Sequence, residues 1–199
     1  MVATPFWTNP NRAKIAGFSK PLYFSPVFAY AKRGDYRFKA HLEKANSPDV
    51  KIVTIDGETA QVIANEDFPK SNRLSLPQMT DYAQLLLSVA TGKADIAFVE
   101  PITAGLFMRN NPNTVEILDA DHPLRVYPNC WMLNRGQFEF KSMLDTVLDE
   151  VTNSGAMDKI LSKYHLAPNM VLRVALPYHV PGGNTGNSTI AQSENRVSR

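Results

Sequence analysis

Cysteine is nearly absent. Cys130 stands alone among 199 residues, so no internal disulfide can form, and no Cys/His spacing matches a zinc site. Long hydrophobic runs are missing as well. None reaches the ~18 residues that a helical membrane span needs, which argues against membrane insertion. The opening "MVATPFWTNPNR" lacks the basic start and long apolar middle of a signal peptide, so the chain as written encodes no export. Nor is there an excess of one charge. With 21 Lys+Arg against 19 Asp+Glu and no basic stripe or acidic block, neither nucleic acid nor an anionic membrane is indicated as partner. His41, His122, His165 and His179 are scattered through separate segments and read as solvent-facing or structural. The chain also contains no P-loop, no GxGxxG after a strand, no GxSxG elbow and no HExxH. No metal and no cofactor are therefore expected.

What remains is an ordinary composition, 44% hydrophobic and 20% charged, enough for one sizeable core or two small lobes. Strand and helix signals alternate, which argues for an α/β layered architecture. "PVFAYAKR", "VKIVTI", "RLSL", "ADIAFV", "TVEIL" and "LRVYPNCWMLNRG" read as strands. "YRFKAHLEKAN" and "ETAQVIANEDF" read as helices. In "TDYAQLLLSVATGK", Tyr82, Leu85, Leu86 and Val89 keep helical spacing, with Thr80 or Asp81 as N-cap and Gly92 at the stop. "EPITAGLFMRNN" is a helix with Pro101 in its first turn. "FEFKSMLDTVLDEVTNSG" is amphipathic through Phe140, Met143, Leu144, Val147, Leu148 and Val151, and "AMDKILSKYHL" adds a further helix. From about residue 177 the composition turns to Gly, Asn, Ser and Thr, which predicts a disordered tail over 177–199.

Glu100 falls at the carboxyl end of one predicted strand and the amino end of the next helix. Open α/β sheets bind ligands at that edge. A first-turn acid also complements a helix dipole, and position alone leaves both readings open.

Four motifs in order carry a resemblance: "TNPNRAKIAGFSKPLYFSPVFAYAKRGD", "VKIVTIDGETAQ", "DYAQLLLSVATGKADIAFVEP" and "GAMDKILSKY". Together they resemble the successive signatures of type 2 periplasmic solute-binding proteins, the amino-acid-binding branch in particular, over residues 4–164. The resemblance implies two α/β lobes joined by a two-segment hinge, closing on a ligand in the cleft between them. Residues 1–25 would be a remnant of lobe 1, 26–125 a complete lobe 2, and 126–176 the return to lobe 1. The crossings would lie near "PLYFSP" and "VYPNC". The leading elements of the family's first lobe have no counterpart here. That absence implies an incomplete lobe 1 with uncovered apolar faces, and a Met1 internal to a longer exported protein.

The same resemblance implies the function: capture of a small polar ligand, most simply an amino acid, for an ABC transporter permease, in the periplasm or outside the cell. No enzymatic activity follows from it. Cyclohexadienyl or arogenate dehydratases on the same scaffold are the runner-up, and a ligand-sensing domain of a larger protein is a third reading. Arg12 matches the arginine that pairs with a ligand α-carboxylate, although without the match it would read as a surface arginine. Glu100 matches the acid that accepts from the α-ammonium. Thr59, at a helix start, would offer a hydroxyl and backbone N–H groups to an anionic group. Glu58 departs from the small hydroxylated residue common there: it would repel a carboxylate, unless it points away or meets a cationic side chain. Trp7 lines the cleft in the family, with core packing as the alternative. Tyr23 would border the cleft or fill the hinge.

Overall fold

Two ten-residue strands, β3 (Tyr23–Lys32) and β8 (Arg125–Asn134), organise the molecule. They run antiparallel side by side from Tyr23↔Asn129 to Val27↔Arg125. Beyond Val27, β3 changes partners and pairs antiparallel with β6 (Ile96–Val99) and β7 (Val115–Ile117). β4 (Lys51–Ile55) lies parallel to both β6 and β5 (Asn72–Leu76). On the far side of β8, β1 (Val2–Trp7) and β2 (Ala16–Phe18) pair with it antiparallel. The sheet order is β1-β8-β3-β6-β4-β5, in a computed structural model that describes residues 2–8, 10–163 and 170–173. The Gly/Asn/Ser-rich stretch over 177–199 lies outside the described residues.

The core is concentrated in residues 27–118. There the two central parallel strands are covered on both faces: Ile52 to Ile55 in β4 and Ile96 to Val99 in β6 are all buried. Helices α2 (Thr59–Asp67), α3 (Ala83–Ala90) and α4 (Pro101–Asn110) supply the cover through Ile63, Leu85, Leu86, Val89, Ala104 and Phe107. Each fully buried aliphatic side chain contributes about 1.5–3 kcal/mol, so this region carries most of the molecule's hydrophobic stabilisation. α3 ends as its sequence directs. Gly92 takes φ 74 just past the last turn, a left-handed position that a residue with a Cβ occupies at a cost.

Elsewhere helices α5 (Phe138–Asn153) and α6 (Ala156–Lys163) follow β8. α5 buries Leu148 and is tied to the start of the chain by Lys20, whose Nζ meets Asp149 at 2.5 Å and whose backbone N–H donates to Asp145 at 2.7 Å. Residues 170–173 return to the centre. Leu172 exchanges two backbone hydrogen bonds of 2.8 Å with Phe24, and the Met170 methyl lies 3.0 Å from where a Cβ on Gly105 would sit.

Several elements differ from the sequence expectation. β1 and β2 carry no strand signal, because Pro5 and mixed polarity hide any period of two; β1 forms as an edge strand on β8 with an irregularity between Val2 and Phe6, and β2 pairs with the same strand. β3 begins at Tyr23 rather than at Pro26 because it pairs with β8 from there. "YRFKAHLEKAN" forms two 3-10 turns, Tyr36–Phe38 and Leu42–Ala45, instead of one helix. Ala40 between them sits at φ 61, which ends any helix, while Phe38 and Ala45 are buried on either side.

Candidate functional site

Parallel strands β4 and β6 are neighbours, so the turns leaving their carboxyl ends open onto the same edge of the sheet. Each turn delivers an acid. After β4 the chain bends through Gly57, at φ 78, and reaches Glu58 as the residue before α2. After β6, Glu100 directly precedes Pro101, the first residue of α4. In both cases the backbone carbonyl of the acid starts the helix: Glu58 accepts from Gln61 at 3.0 Å and Glu100 from Ala104 at 3.1 Å. Neither carboxylate caps its own helix. Both side chains are thereby available to the space in front of the strands.

That space is a cleft of about 570 Å³. Trp7, Arg12, Tyr23, Glu58, Thr59 and Glu100, the six residues singled out in the sequence, all line it. They come from different parts of the chain: β1, the short helix α1 (Pro10–Ala13), the start of β3, the β4–α2 turn and the β6–α4 junction. The Arg12 guanidinium donates from Nη1 to the Trp7 carbonyl at 2.8 Å. The Trp7 indole stacks on Tyr127, with ring centroids 4.8 Å apart and planes 13° apart, so it both packs and forms wall. Thr59 opens α2 beside Glu58.

Four lining residues carry chemistry that the sequence reading did not assign to the cleft. Tyr82 donates its hydroxyl to Glu58 Oε2 at 2.7 Å. The sequence shows it only as the first residue of the helical spacing shared with Leu85, Leu86 and Val89, and a phenol satisfies that spacing while its hydroxyl reaches a polar partner. Tyr127 is the other half of the aromatic stack. Asn129 and Ser25, both buried, are joined by a 2.8 Å bond from Asn129 Nδ2 to Ser25 Oγ. They meet as diagonal neighbours because β3 and β8 pair in the register Tyr23↔Asn129 and Ser25↔Tyr127, a long-range fact that no local signal carries.

The electrostatics are uneven. Burial raises the Glu100 carboxyl above its ordinary range, partly offset by the hydrogen bond it accepts from Thr103 Oγ1 at 3.2 Å. Tyr23 is raised chiefly by burial and secondly by the nearby Glu100 charge. Tyr82 is raised by burial and then by Glu58, with Glu100 adding to the rise and Arg12 opposing it. Tyr82 therefore senses Glu58, Glu100 and Arg12 together and stays a hydrogen-bond donor at physiological pH. Among the described residues no group of three or more His, Cys, Asp or Glu could hold a metal ion, and no helix is long and apolar enough to cross a membrane.

Comparison with protein-family models finds no match, and comparison with curated proteins finds none either. Solved structures do match. One is an ancestral amino acid-binding protein, a precursor of cyclohexadienyl dehydratase, with TM-score 0.65 and 21% identity over 80% of this chain and 65% of that one. A second is the arginine-, lysine-, histidine-binding protein ArtJ of Geobacillus stearothermophilus, with TM-score 0.60 and 18% identity over 83% and 69%. A third is an amino acid ABC transporter substrate-binding protein of Streptococcus pneumoniae bound to L-arginine, with TM-score 0.57 and 22% identity over 79% and 64%. The chain thus has the mixed α/β fold of type 2 periplasmic binding proteins and spans about two thirds of the length of these structures.

Proposed function

We propose that the chain is a solute-binding protein that takes an amino acid into the cleft between two lobes. Residues 1–25 and 126–176 would make one lobe and residues 26–125 the other, with the paired strands β3 and β8 as the two crossings. One observation carries the reading: a guanidinium from the N-terminal elements and a carboxylate from the end of β6 line the same cleft. Arg12 would hold the α-carboxylate through its planar fork, and Glu100 would accept from the α-ammonium. Thr59 would add its hydroxyl and the amino end of α2 to the carboxylate side.

Such a ligand bridges the two lobes, so it binds the closed arrangement better than the open one and shifts the equilibrium towards closure. A ligand touching one lobe alone has no such leverage. The family setting then supplies the rest of the proposal: a location in the periplasm or outside the cell, and an ABC transporter permease that receives the closed form. The structural similarity to an amino acid-binding precursor of a dehydratase supports binding over turnover.

Isothermal titration calorimetry against the proteinogenic amino acids tests this. At least one should bind saturably. Arg12→Ala and Glu100→Ala should each weaken it roughly tenfold to a hundredfold, the loss of one charge-assisted hydrogen-bonding partner. Unchanged affinity in both variants refutes the assignment.

A further inference from the structure

We propose that the cleft selects an amino acid whose side chain is itself cationic, and that Glu58 is the residue that reads that charge. The inference rests on the amino-acid reading above and deepens it. Among the described residues, the charged side chains lining the cleft are Arg12, Glu58 and Glu100, one base against two acids. A zwitterion uses one of each, Arg12 for its carboxylate and Glu100 for its ammonium. Glu58 is then left over.

A carboxylate left over in a closing cleft is costly, because closure strips its water without supplying a counter-charge. A neutral ligand side chain would impose that cost, and an acidic one would add repulsion to it. A ligand of net charge +1 brings the total to zero. Glu58 is also placed for the task. It does not cap α2, so its side chain is not spent on the helix amides. Tyr82 holds it by one hydrogen bond to Oε2, which fixes its direction, and a carboxylate accepts several more. The stacked faces of Trp7 and Tyr127 line the same cleft, and ring faces attract cations and pack along alkyl stems.

The test compares ligand pairs that share a shape and differ in charge: L-arginine with L-citrulline, and L-lysine with L-norleucine, titrated into the unmodified 199-residue chain by calorimetry. The cationic member of at least one pair should bind roughly tenfold to a hundredfold tighter. In Glu58→Gln the preference should collapse, the cationic member binding more weakly and the neutral member no more weakly than in the unmodified chain, with far-UV circular dichroism and an unchanged melting profile showing that the variant is folded. Equal affinity within both pairs for the unmodified chain overturns the proposal without any variant. A preference that survives in Glu58→Gln overturns the role of Glu58. If neutral amino acids bind and cationic ones do not, only this inference falls; if no amino acid binds, the amino-acid reading falls with it.

Discussion

At Glu100 two effects oppose one another: the amino end of α4 favours a negative charge, whereas burial in the cleft wall disfavours it. Burial prevails, and the carboxyl titrates above its ordinary value. The groups around it, the Thr103 hydroxyl and the Tyr23 and Tyr82 phenols, bring no positive charge of their own. The consequence for stability has a definite sign. Between the ordinary carboxylate pKa and the raised one, the folded state binds more protons than the unfolded state, so stability falls as pH rises through that window. Glu100→Gln removes the penalty. In thermal melts without ligand it should be more stable than the parent near neutral pH and indistinguishable from it below the carboxylate range. A variant less stable than the parent at neutral pH contradicts the argument. Glu100 was legible in the sequence because a strand, an acid and a proline-started helix follow one another directly. Tyr82, Tyr127 and Asn129 were not, because their membership of the cleft depends on which distant strands pair, and Tyr82 also satisfies the apolar period of α3.

At the scale of elements, α2 shows how a site-bearing helix is held at its other end. Arg73, from β5, gathers three backbone carbonyls at and just beyond the carboxyl end of α2. Its Nη2 donates to the carbonyls of Ala64 at 2.5 Å and Phe68 at 2.8 Å, and its Nη1 to that of Ser71 at 2.6 Å. A lysine cannot span those three directions from one ammonium. Arg73→Ala should therefore destabilise the fold by about 1–3 kcal/mol, with Arg73→Lys recovering only part, measured by urea unfolding at unchanged slope. A cost near zero for Arg73→Ala would mean that water serves these carbonyls equally well. The element order from β4 to α4 was readable from sequence because β4 and β6 are short buried apolar runs, and because Gly92 stops α3 and Pro101 starts α4. The paired 3-10 turns and β1 were not. Ala40 adopts a left-handed conformation that alanine does not advertise, and β1 is a strand only because β8 offers it an edge.

Across the whole molecule, burial is unequally shared. Core residues lie almost entirely between 27 and 118, whereas α5 and α6 present Phe138, Met143, Val147 and Ile160 at 77%, 54%, 51% and 49% exposure. Met143 and Val147 lie one turn apart on α5, and this pair, uncovered among the described residues, invites association. The helical period of α5 was plain in the sequence; what it packs against was not, since a hydrophobic stripe records that a partner is needed and not which one. The 199-residue chain should bind a solvent-sensitive apolar dye, and Met143→Lys with Val147→Glu should reduce both the dye signal and any concentration-dependent increase in sedimentation. An unaltered dye signal in the double variant would place the sticky surface elsewhere.

The stack of Trp7 on Tyr127 has a practical corollary. The chain holds two tryptophans, and one of them forms part of the cleft wall. Indole emission follows the polarity and motion of its surroundings, so an arriving solute that displaces water from that wall changes the light the protein returns. The molecule carries its own fluorophore at the place where occupancy matters, and replacing Trp131 by phenylalanine would leave that single reporter free of background.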